Sequence, residues 1–373
     1  MALGALGKID DITHLAAESI DRAITSFQAS PMRLWYAVVY ARACRLTGRI
    51  DESLRAAKQL ADSAPDVPGV AAANLAFLLG HAELARGELP TAVKLLREAL
   101  AGMEKHSVTT GLRAGVCFAL AEAHAKLGDA EGANDAITEV RLSVPDEYLF
   151  MQTPLAMARG WALAAGGRLT EAIAVVRAAG EDAREPSQPT HELACLQVAA
   201  QWGDTSGAKR ARELAGLLNL PLANAVARHT ESLRGGNGEG LLAASADYRA
   251  VGDVATAADV AAQASVAFSQ SQQRKRSLYA AALAAQLADA CGRLCTPALK
   301  SPADQPLTDR QREIIELAAV GLSNKDIAER LVTSVRTVEG HVYRACLRLG
   351  ATSREELAWI MRSGSARLVC DPA

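Results

Sequence analysis

Residues 321–342 read GLSNKDIAERLVTSVRTVEGHV, and this stretch decides the fold of the C-terminal part of the chain. Gly321 stands just past the end of a preceding helical run, where a left-handed helix terminus favours glycine. Ser323 begins one helix and Thr333 or Ser334 begins the next, because hydroxyl oxygens accept hydrogen bonds from free N–H groups at helix starts. The short link between the two helices has the spacing of a helix-turn-helix.

Two capping boxes extend this pattern in both directions. Thr308 is followed three residues later by Gln311, and Ser353 is followed in the same way by Glu356. Gly350 stands where the third helix should end. We therefore predict four short helices between residues 307 and 361.

The third of these helices has two distinct faces at about 100° per residue. The face predicted to pack on the first two helices contains Val335, Val338, Val342, Ala345 and Leu349. The outward face contains Arg336, Gly340, Tyr343 and Arg344. A glycine within a helix costs about 1 kcal/mol relative to alanine, so Gly340 indicates close approach by another molecule, unless it is simply tolerated.

These residues resemble the LuxR-type DNA-binding domain. The resemblance rests on LTDRQRE at 307–313, GLSNKDIA at 321–328, SVRTVEGHV at 334–342, Leu349-Gly350 and Arg354-Glu355-Glu356. It implies a four-helix domain that binds duplex DNA. A four-helix unit without that function is the alternative.

The resemblance also implies roles for individual residues. Base-reading positions are Glu339, Gly340 and Tyr343. Contacts to the phosphate backbone, which position a domain without reading sequence, are expected from Lys325, Arg336, Thr337, Arg344 and Arg348. The fourth helix would be the dimer contact, through Leu357, Trp359 and Met361.

Glu339 departs from the family, whose members often have lysine there. A carboxylate can accept a hydrogen bond from cytosine N4, or it can repel the DNA backbone. Both interpretations stay open.

Upstream, a glycine followed five positions later by a small residue recurs every 36 to 49 residues. The pairs are Gly48 and Ser53, Gly87 and Ala92, Gly128 and Ala133, Gly167 and Ala172, Gly203 and Ala208, and Gly252 and Ala257. A period near forty indicates a solenoid of helical hairpins.

In most units another small residue lies twelve positions before the small residue that follows the glycine. Small side chains at these two positions allow the two helices of a hairpin to approach closely. These residues are Ala41, Gly80, Ala121, Gly160 and Ser245, whereas the fifth unit has Leu196. The pattern resembles tetratricopeptide repeats, in the longer-period form of the large ATP-binding, maltose-regulator-like members of the LuxR family. Trp35, Tyr36, Trp161 and Trp202 are either groove residues or core residues.

The glycine-rich segment RGGNGEG at 234–240 is predicted to be a connecting loop. No strand precedes it and no lysine-serine or lysine-threonine pair follows, so it lacks the features of a phosphate-binding loop. The ATPase module of the large regulators is absent from this sequence, so we expect a shortened relative or a separately encoded C-terminal half.

Composition limits the remaining function classes. The chain is 50% hydrophobic but only 4% aromatic, as expected for alanine-rich helices. It has no long uncharged apolar run and no basic-then-apolar start, so we expect a cytoplasmic protein without a membrane partner. Seven single cysteines, including Cys291 and Cys295, are expected to be free thiols rather than metal ligands.

Charge indicates that the DNA-binding module works in pairs. Residues 307–373 carry 10 Lys and Arg against 9 Asp and Glu, a net +1, in a chain of net charge −2. So weakly basic a module releases few counterions, and one copy should bind DNA weakly. A homodimer is therefore expected.

The predicted domains are a leading helix at 1–31 that stops at Ser30-Pro31, the repeats at 32–295, a proline-rich linker at 296–306, the DNA-binding domain at 307–363 and a tail at 364–373. The predicted fold is all-α, a tetratricopeptide-like solenoid followed by a LuxR-type helix-turn-helix domain.

The predicted function is a sequence-specific transcriptional regulator, controlled by an effector or partner on the repeats. The alternative is a protein-interaction adaptor that uses the helix-turn-helix only for association. We expect that the protein is not an enzyme and binds no cofactor or metal, because the sequence has no nucleophile-base pair, metal-ligand spacing or phosphate-binding loop.

Overall fold

The computed structural model describes residues 2–8, 10–11, 30–63, 69–106, 111–141, 151–185, 187–300, 309–331 and 333–349. Over these residues the chain is helical and contains no strand, so the all-α prediction is confirmed. The chain divides into two compact units, Met1–Leu299 and Lys300–Ala373. Among the described residues, no helix combines the length and the apolar character needed to cross a bilayer.

Fifteen helices of the first unit are described. They are α1 Ala2–Ala5, α2 Ser30–Thr47, α3 Ile50–Ser63, α4 Val70–Arg86, α5 Leu89–Lys105, α6 Gly111–Lys126, α7 Ala130–Arg141, α8 Gln152–Ala165, α9 Leu169–Asp182, α10 Pro189–Gln201, α11 Ala208–Leu218, α12 Pro221–Arg234, α13 Gly238–Ala250, α14 Val254–Gln270 and α15 Arg274–Ala290.

The recurring glycines all lie in the turns that reverse the chain between successive helices. The residues are Gly48, Gly87, Gly128, Gly167, Gly203 and Gly252, and their φ angles lie between 79° and 104°. An L-residue with a side chain is strained in this left-handed region, whereas glycine is not. The predicted hairpins are therefore confirmed at these six turns.

Small residues bring the helices of a hairpin into direct contact. A Cβ atom on Gly160 of α8 would lie only 2.6 Å from Val176 Cγ2 of α9, and one on Gly80 of α4 would lie 2.9 Å from Leu96 Cγ of α5. In the last predicted unit the Ser245 hydroxyl donates to the Ala257 carbonyl oxygen over 2.8 Å. Gly80, Gly160 and Ser245 thus lie at points of close approach, and of these three contacts only that of Ser245 is with its predicted partner, Ala257.

The fifth hairpin compensates for its larger residue. Leu196 of α10 stands where the other units have a small side chain, and a Cβ atom on Gly207 would lie 2.5 Å from Leu196 Cδ2. The space that Leu196 takes is therefore provided by a glycine just before α11.

The leading segment differs from the prediction of one helix over 1–31. α1 ends at Ala5, and Leu6 and Gly7 form a turn. Ser30 and Pro31 begin α2 rather than ending a helix. Proline suits the first turn of a helix, where its missing N–H group would have no partner. Residues 12–29 lie outside the described residues.

The glycine-rich segment is mostly the beginning of a helix. Asn237 caps α13 by accepting a hydrogen bond from the Gly240 N–H over 3.1 Å. A Cβ atom on Gly238 would lie 2.7 Å from the Phe268 ring, so this glycine allows α13 and α14 to approach. Only residues 235–237 form a connection.

The last part of this unit packs back onto the first hairpins. A Cβ atom on Gly87 would lie 2.8 Å from Cys291 Sγ, and one on Gly128 would lie 2.9 Å from Cys295 Sγ. The Cys295 N–H donates to the Lys126 carbonyl oxygen over 2.7 Å. The array of hairpins is therefore curled, with its end against its early turns.

Cys291 and Cys295 thus act as packing residues at turns. Burial raises the pKa of the Cys291 thiol to about 12, so it stays protonated near neutral pH. Within the described ranges, no three His, Cys, Asp or Glu side chains are grouped so that they could hold a metal ion.

The predicted linker begins later than residue 296. Thr296 is 1% exposed, and its hydroxyl donates to the buried Asp259 carboxyl group. Leu299 packs against the core of the repeats. Residues 296–299 therefore belong to the first unit, and residues 301–308 lie outside the described residues.

Replacing Gly160 by alanine tests the close approach of hairpin helices. Because the β-branched Val176 and the Trp202 ring lie within 3.0 Å of the new methyl group, Gly160→Ala should destabilise the protein by about 1–3 kcal/mol. Gly216→Ala is the control, since nothing lies within 4 Å of its Cβ position in α11 and alanine there should stabilise by about 0.4–1 kcal/mol. Urea unfolding of both variants gives the comparison, and equal effects would contradict the close approach.

Candidate nucleic-acid interface

Three helices of the second unit are described: α16 Asp309–Ala319, α17 Asn324–Arg330 and α18 Val335–Leu349. Their shared core contains Ile314, Ala318, Ile327, Ala328 and Val338, with Leu317, Leu322, Leu331 and Val342 packed against it. Ala345 is also fully buried. The predicted inward face of α18 is confirmed at Val338, Val342 and Ala345.

Val335 was expected on that inward face but is 40% exposed. It is the first residue of α18. The side chain of Leu349, which was also expected there, lies outside the described residues.

Hydroxyl side chains cap both helices of the helix-turn-helix. The Ser323 Oγ accepts from the Asp326 N–H over 3.2 Å, and Asp326 Oδ2 accepts from the Ser323 N–H over 3.1 Å. Hydrogen bonds from Ser323 lower the pKa of Asp326. Ser334 rather than Thr333 caps α18, since its Oγ accepts from the Thr337 N–H over 3.1 Å.

Gly321 ends the turn after α16 with a φ of 99°, as the sequence predicts. Only a short link separates α17 from α18, and the Thr333 N–H donates back to the Ala328 carbonyl oxygen over 2.9 Å. The other predicted helix-terminal residues lie outside the described residues or side chains: Thr308, Gln311, Gly350, Ser353 and Glu356.

Arg310 fastens α16 to the end of α17, a role that the sequence alone did not reveal. Its Nη2 donates to the Leu331 carbonyl oxygen over 2.6 Å, and its Nη1 pairs with Glu313 Oε2 at 2.7 Å. A cation at a helix C-terminus interacts favourably with the helix dipole. The Arg310-Glu313 spacing signals a pair on one helix, but only the fold brings the carbonyl of Leu331 within reach.

Seven of the predicted DNA-contact residues lie on α18, and the exposure of five of them is described. Tyr343 is 66% exposed, Arg336, Thr337 and Glu339 are exposed, and Gly340 is half-buried. Positions 336, 339, 340 and 343 are three or four residues apart, so they lie on one side of the helix. This side is opposite the buried Val338 and Ala345.

The other predicted contacts are placed less completely. Lys325 is exposed on the neighbouring helix α17. Arg344 and Arg348 are part of α18, but their side chains lie outside the described residues, as do Leu357, Trp359 and Met361 of the expected fourth helix. The second helix of the helix-turn-helix, α18, thus has a polar and largely exposed side.

Comparison with known proteins assigns part of the second unit to a protein family. Residues 305–361 match the family model of bacterial regulatory proteins of the luxR family. The C-terminal segment of the chain is a LuxR-family helix-turn-helix domain.

Relatives of the LuxR-family domain occur in regulators of different sizes. The segment is 47% identical over 51 residues to the putative HTH-type transcriptional regulator Mb0914c of Mycobacterium bovis, covering 14% of this chain and 6% of that protein. The chain is 41% identical over 76 residues to the response regulator Rre1 of Synechocystis, covering 20% of this chain and 32% of that protein. It is 47% identical over 51 residues to the oxygen regulatory protein NreC of Staphylococcus aureus, covering 14% of this chain and 24% of that protein.

These matches are short, and each covers between 14% and 20% of this chain. The matched segments span a third or less of each of these relatives. The similarity therefore assigns the domain, and the activity of the whole chain follows only as a proposal.

Replacing Arg310 tests the link between α16 and α17. Arg310→Ala removes the hydrogen bond to the Leu331 carbonyl and should destabilise the LuxR-family domain by about 0.5–1 kcal/mol, because the contact is partly exposed. Hydrogen exchange of the amides of residues 331–338 should accelerate. Arg330→Ala, which changes an exposed arginine on α17, is the control, and equal exchange in the two variants would contradict the role of Arg310.

Proposed function

We propose that the chain is a sequence-specific transcriptional regulator in which two LuxR-family domains bind duplex DNA together and the repeats hold an effector or partner that controls this binding. One observation carries the proposal. The LuxR-family domain has an exposed helix face, composed of Arg336, Glu339, Gly340 and Tyr343, beside a capped and tightly linked α17. A helix presented in this way fits the major groove of B-DNA.

Each part of that face has a proposed role in the groove. Glu339 and Tyr343 face base edges, and Gly340 permits close approach of the helix backbone to them. Lys325, Arg336, Thr337, Arg344 and Arg348 contact phosphates and fix the register of the helix. The capping of α17 by Ser323 and of α18 by Ser334 holds the two helices at their ends.

Pairing of two domains follows from charge. A module with a net charge of +1 over residues 307–373 gains little from counterion release. Two copies on one duplex double the number of contacts. Leu357, Trp359 and Met361 are the proposed dimer contact, and the half-sites would lie about one helical turn, roughly 10 base pairs, apart.

The first test is selection of bound duplexes from a random DNA pool by the full chain across a salt series. The expected result is an inverted repeat. Tyr343→Ala should weaken binding of the selected duplex by about 1–3 kcal/mol, because a base-facing contact is lost. Val320→Ala is the matched control, since Val320 is 79% exposed at the end of α16 and lies outside the proposed face.

A reversal of charge at Glu339 tests the orientation of α18. Glu339→Lys adds a cation to the proposed face, so it should strengthen binding to unselected duplex and steepen the salt dependence of the logarithm of the binding constant by about 1. Glu316→Lys makes the same change on the exposed surface of α16 and should have a smaller effect. If Glu316→Lys has the larger effect, α18 does not face the DNA.

The near-neutral charge of residues 307–373 favours one other candidate, a protein-interaction adaptor in which the LuxR-family domain serves only for association. In that case no duplex would be enriched at any salt concentration, and capture of a partner by the repeats would be unaffected by Tyr343→Ala.

A further inference from the structure

A cavity of about 130 Å³ lies inside the curled repeats. Its walls come from the first helices of successive hairpins, α2, α4, α6, α8 and α10, and from the start of α14. The apolar part includes Phe77, Phe118, Met157 and Trp161. An apolar site of about 150 Å³ is known to hold a benzene molecule, so this cavity has room for a ligand of roughly one ring.

Two of the cations in the wall are neutralised within the protein. Glu122 accepts hydrogen bonds from Arg45 and, over 2.8 Å, from Lys126. Burial alone would raise the pKa of Glu122, but the charges of Arg45 and Lys126 hold it at about 2. Asp253, which accepts from Gln197 over 2.8 Å and from Thr256 over 2.7 Å, is a further negative charge near Arg45.

Arg42 is a third cation in the same wall, and it pairs with no carboxylate in the described part of the chain. Its charged neighbour is Arg45, and burial together with that like charge lowers the pKa of Arg42 to about 10. An arginine side chain carries five N–H donors and no acceptor. The cavity therefore has one positive charge whose natural partner is an anion.

Neighbouring wall residues also have unused polar atoms. Trp161 is 1% exposed and His81 is 7% exposed, and neither Trp161 Nε1 nor His81 Nδ1 has a hydrogen-bond partner within the described residues. The same holds for His191 Nδ1. Burial, with the nearby charges of Arg45 and Arg42, lowers the pKa of His81 to about 3. Burial, with the nearby charge of Arg42, lowers the pKa of His191 to about 4, so both rings are neutral near pH 7. The indole N–H of tryptophan can only donate.

We propose that this cavity binds a small monocarboxylate with a short apolar or single-ring body, whose carboxylate pairs with Arg42 and whose body lies against Phe77, Phe118 and Trp161. A single unpaired cation favours one negative charge over two. The Arg42 side chain has N–H donors and no acceptor, so it calls for acceptor oxygens, which a carboxylate supplies and an ammonium group does not. The aromatic walls favour an apolar body over a sugar-like one.

The binding experiment uses three probes of similar shape and different charge: benzoate, benzamide and benzylamine. Isothermal titration calorimetry and thermal unfolding of the full chain are measured with each. Benzoate should bind and raise the unfolding temperature, because a ligand that binds only the folded state stabilises it. Benzamide and benzylamine should bind at least tenfold more weakly.

Variants of Arg42 connect this preference to the cavity. Arg42→Gln should reduce benzoate affinity at least tenfold and remove its advantage over benzamide, while Arg42→Lys should keep part of that advantage. Arg55→Gln, at an exposed position of α3, is the matched control and should bind benzoate as the unchanged protein does. Circular dichroism verifies the helical content of each variant.

Any of three results would overturn the proposal. The first is equal affinity for benzoate and benzamide, and the second is a benzoate affinity that Arg42→Gln leaves unchanged. The third is that none of three monocarboxylates, benzoate, acetate and butanoate, binds when each is tested alone at millimolar concentration.

The role of this ligand as the effector rests on the proposed function, and DNA binding separates the two claims. If benzoate binds in an Arg42-dependent way but leaves affinity for the selected duplex unchanged, the ligand site stands and control by this ligand fails. If the duplex is bound and no carboxylate binds, the regulator stands and the cavity proposal fails.

Discussion

The first unit depends on one constraint, the reversal of the chain at a residue with positive φ between helices that touch through small side chains. Glycine meets the first condition at each recurring turn, and residues such as Gly80, Gly160 and Ser245 meet the second. With both conditions met, each hairpin is thin enough to stack on the next and to present its first helix inward. The cavity wall is made of these inward helices because the array curls until its end reaches the turns at Gly87 and Gly128.

Curling has an electrostatic consequence. Charged side chains on inward helices lose water, and a buried charge is costly unless it is paired. Glu122 pairs with Arg45 and Lys126. Asp253 is a second carboxylate nearby, and it accepts hydrogen bonds from Gln197 and Thr256. Within the described part of the chain Arg42 pairs with no carboxylate, so it is the cation in the cavity wall that an anionic ligand would neutralise. In the second unit, the three described helices share an apolar core, and one polar side of α18 is left exposed.

Local patterns in the sequence predict what local physics decides. The glycine recurrence predicted the turns, and Ser323 predicted the start of α17. The small residues Gly80, Gly160 and Ser245 predicted where paired helices approach closely. Ser30-Pro31 was misread because a proline that stops one helix and a proline in the first turn of another look alike in sequence. Thr296 was placed in a linker because its buried partner, Asp259, is remote in the chain.

The cavity could not be predicted for a related reason. Arg42, His81, Glu122 and His191 are about 40 residues or more apart, each on a different inward helix, and no local motif connects them. Arg310 was missed because its acceptor is a backbone carbonyl, which has no signature in the sequence. The exposed face of α18 was predictable, since the periodicity of one amphipathic helix determines it.

We propose that two copies of the chain bind one DNA site through their LuxR-family domains. Native mass spectrometry of the full chain, mixed with the duplex retained from a random pool, counts the copies on each DNA molecule directly. The account predicts two chains per duplex and no substantial population with one. Tight binding of a single chain would contradict it.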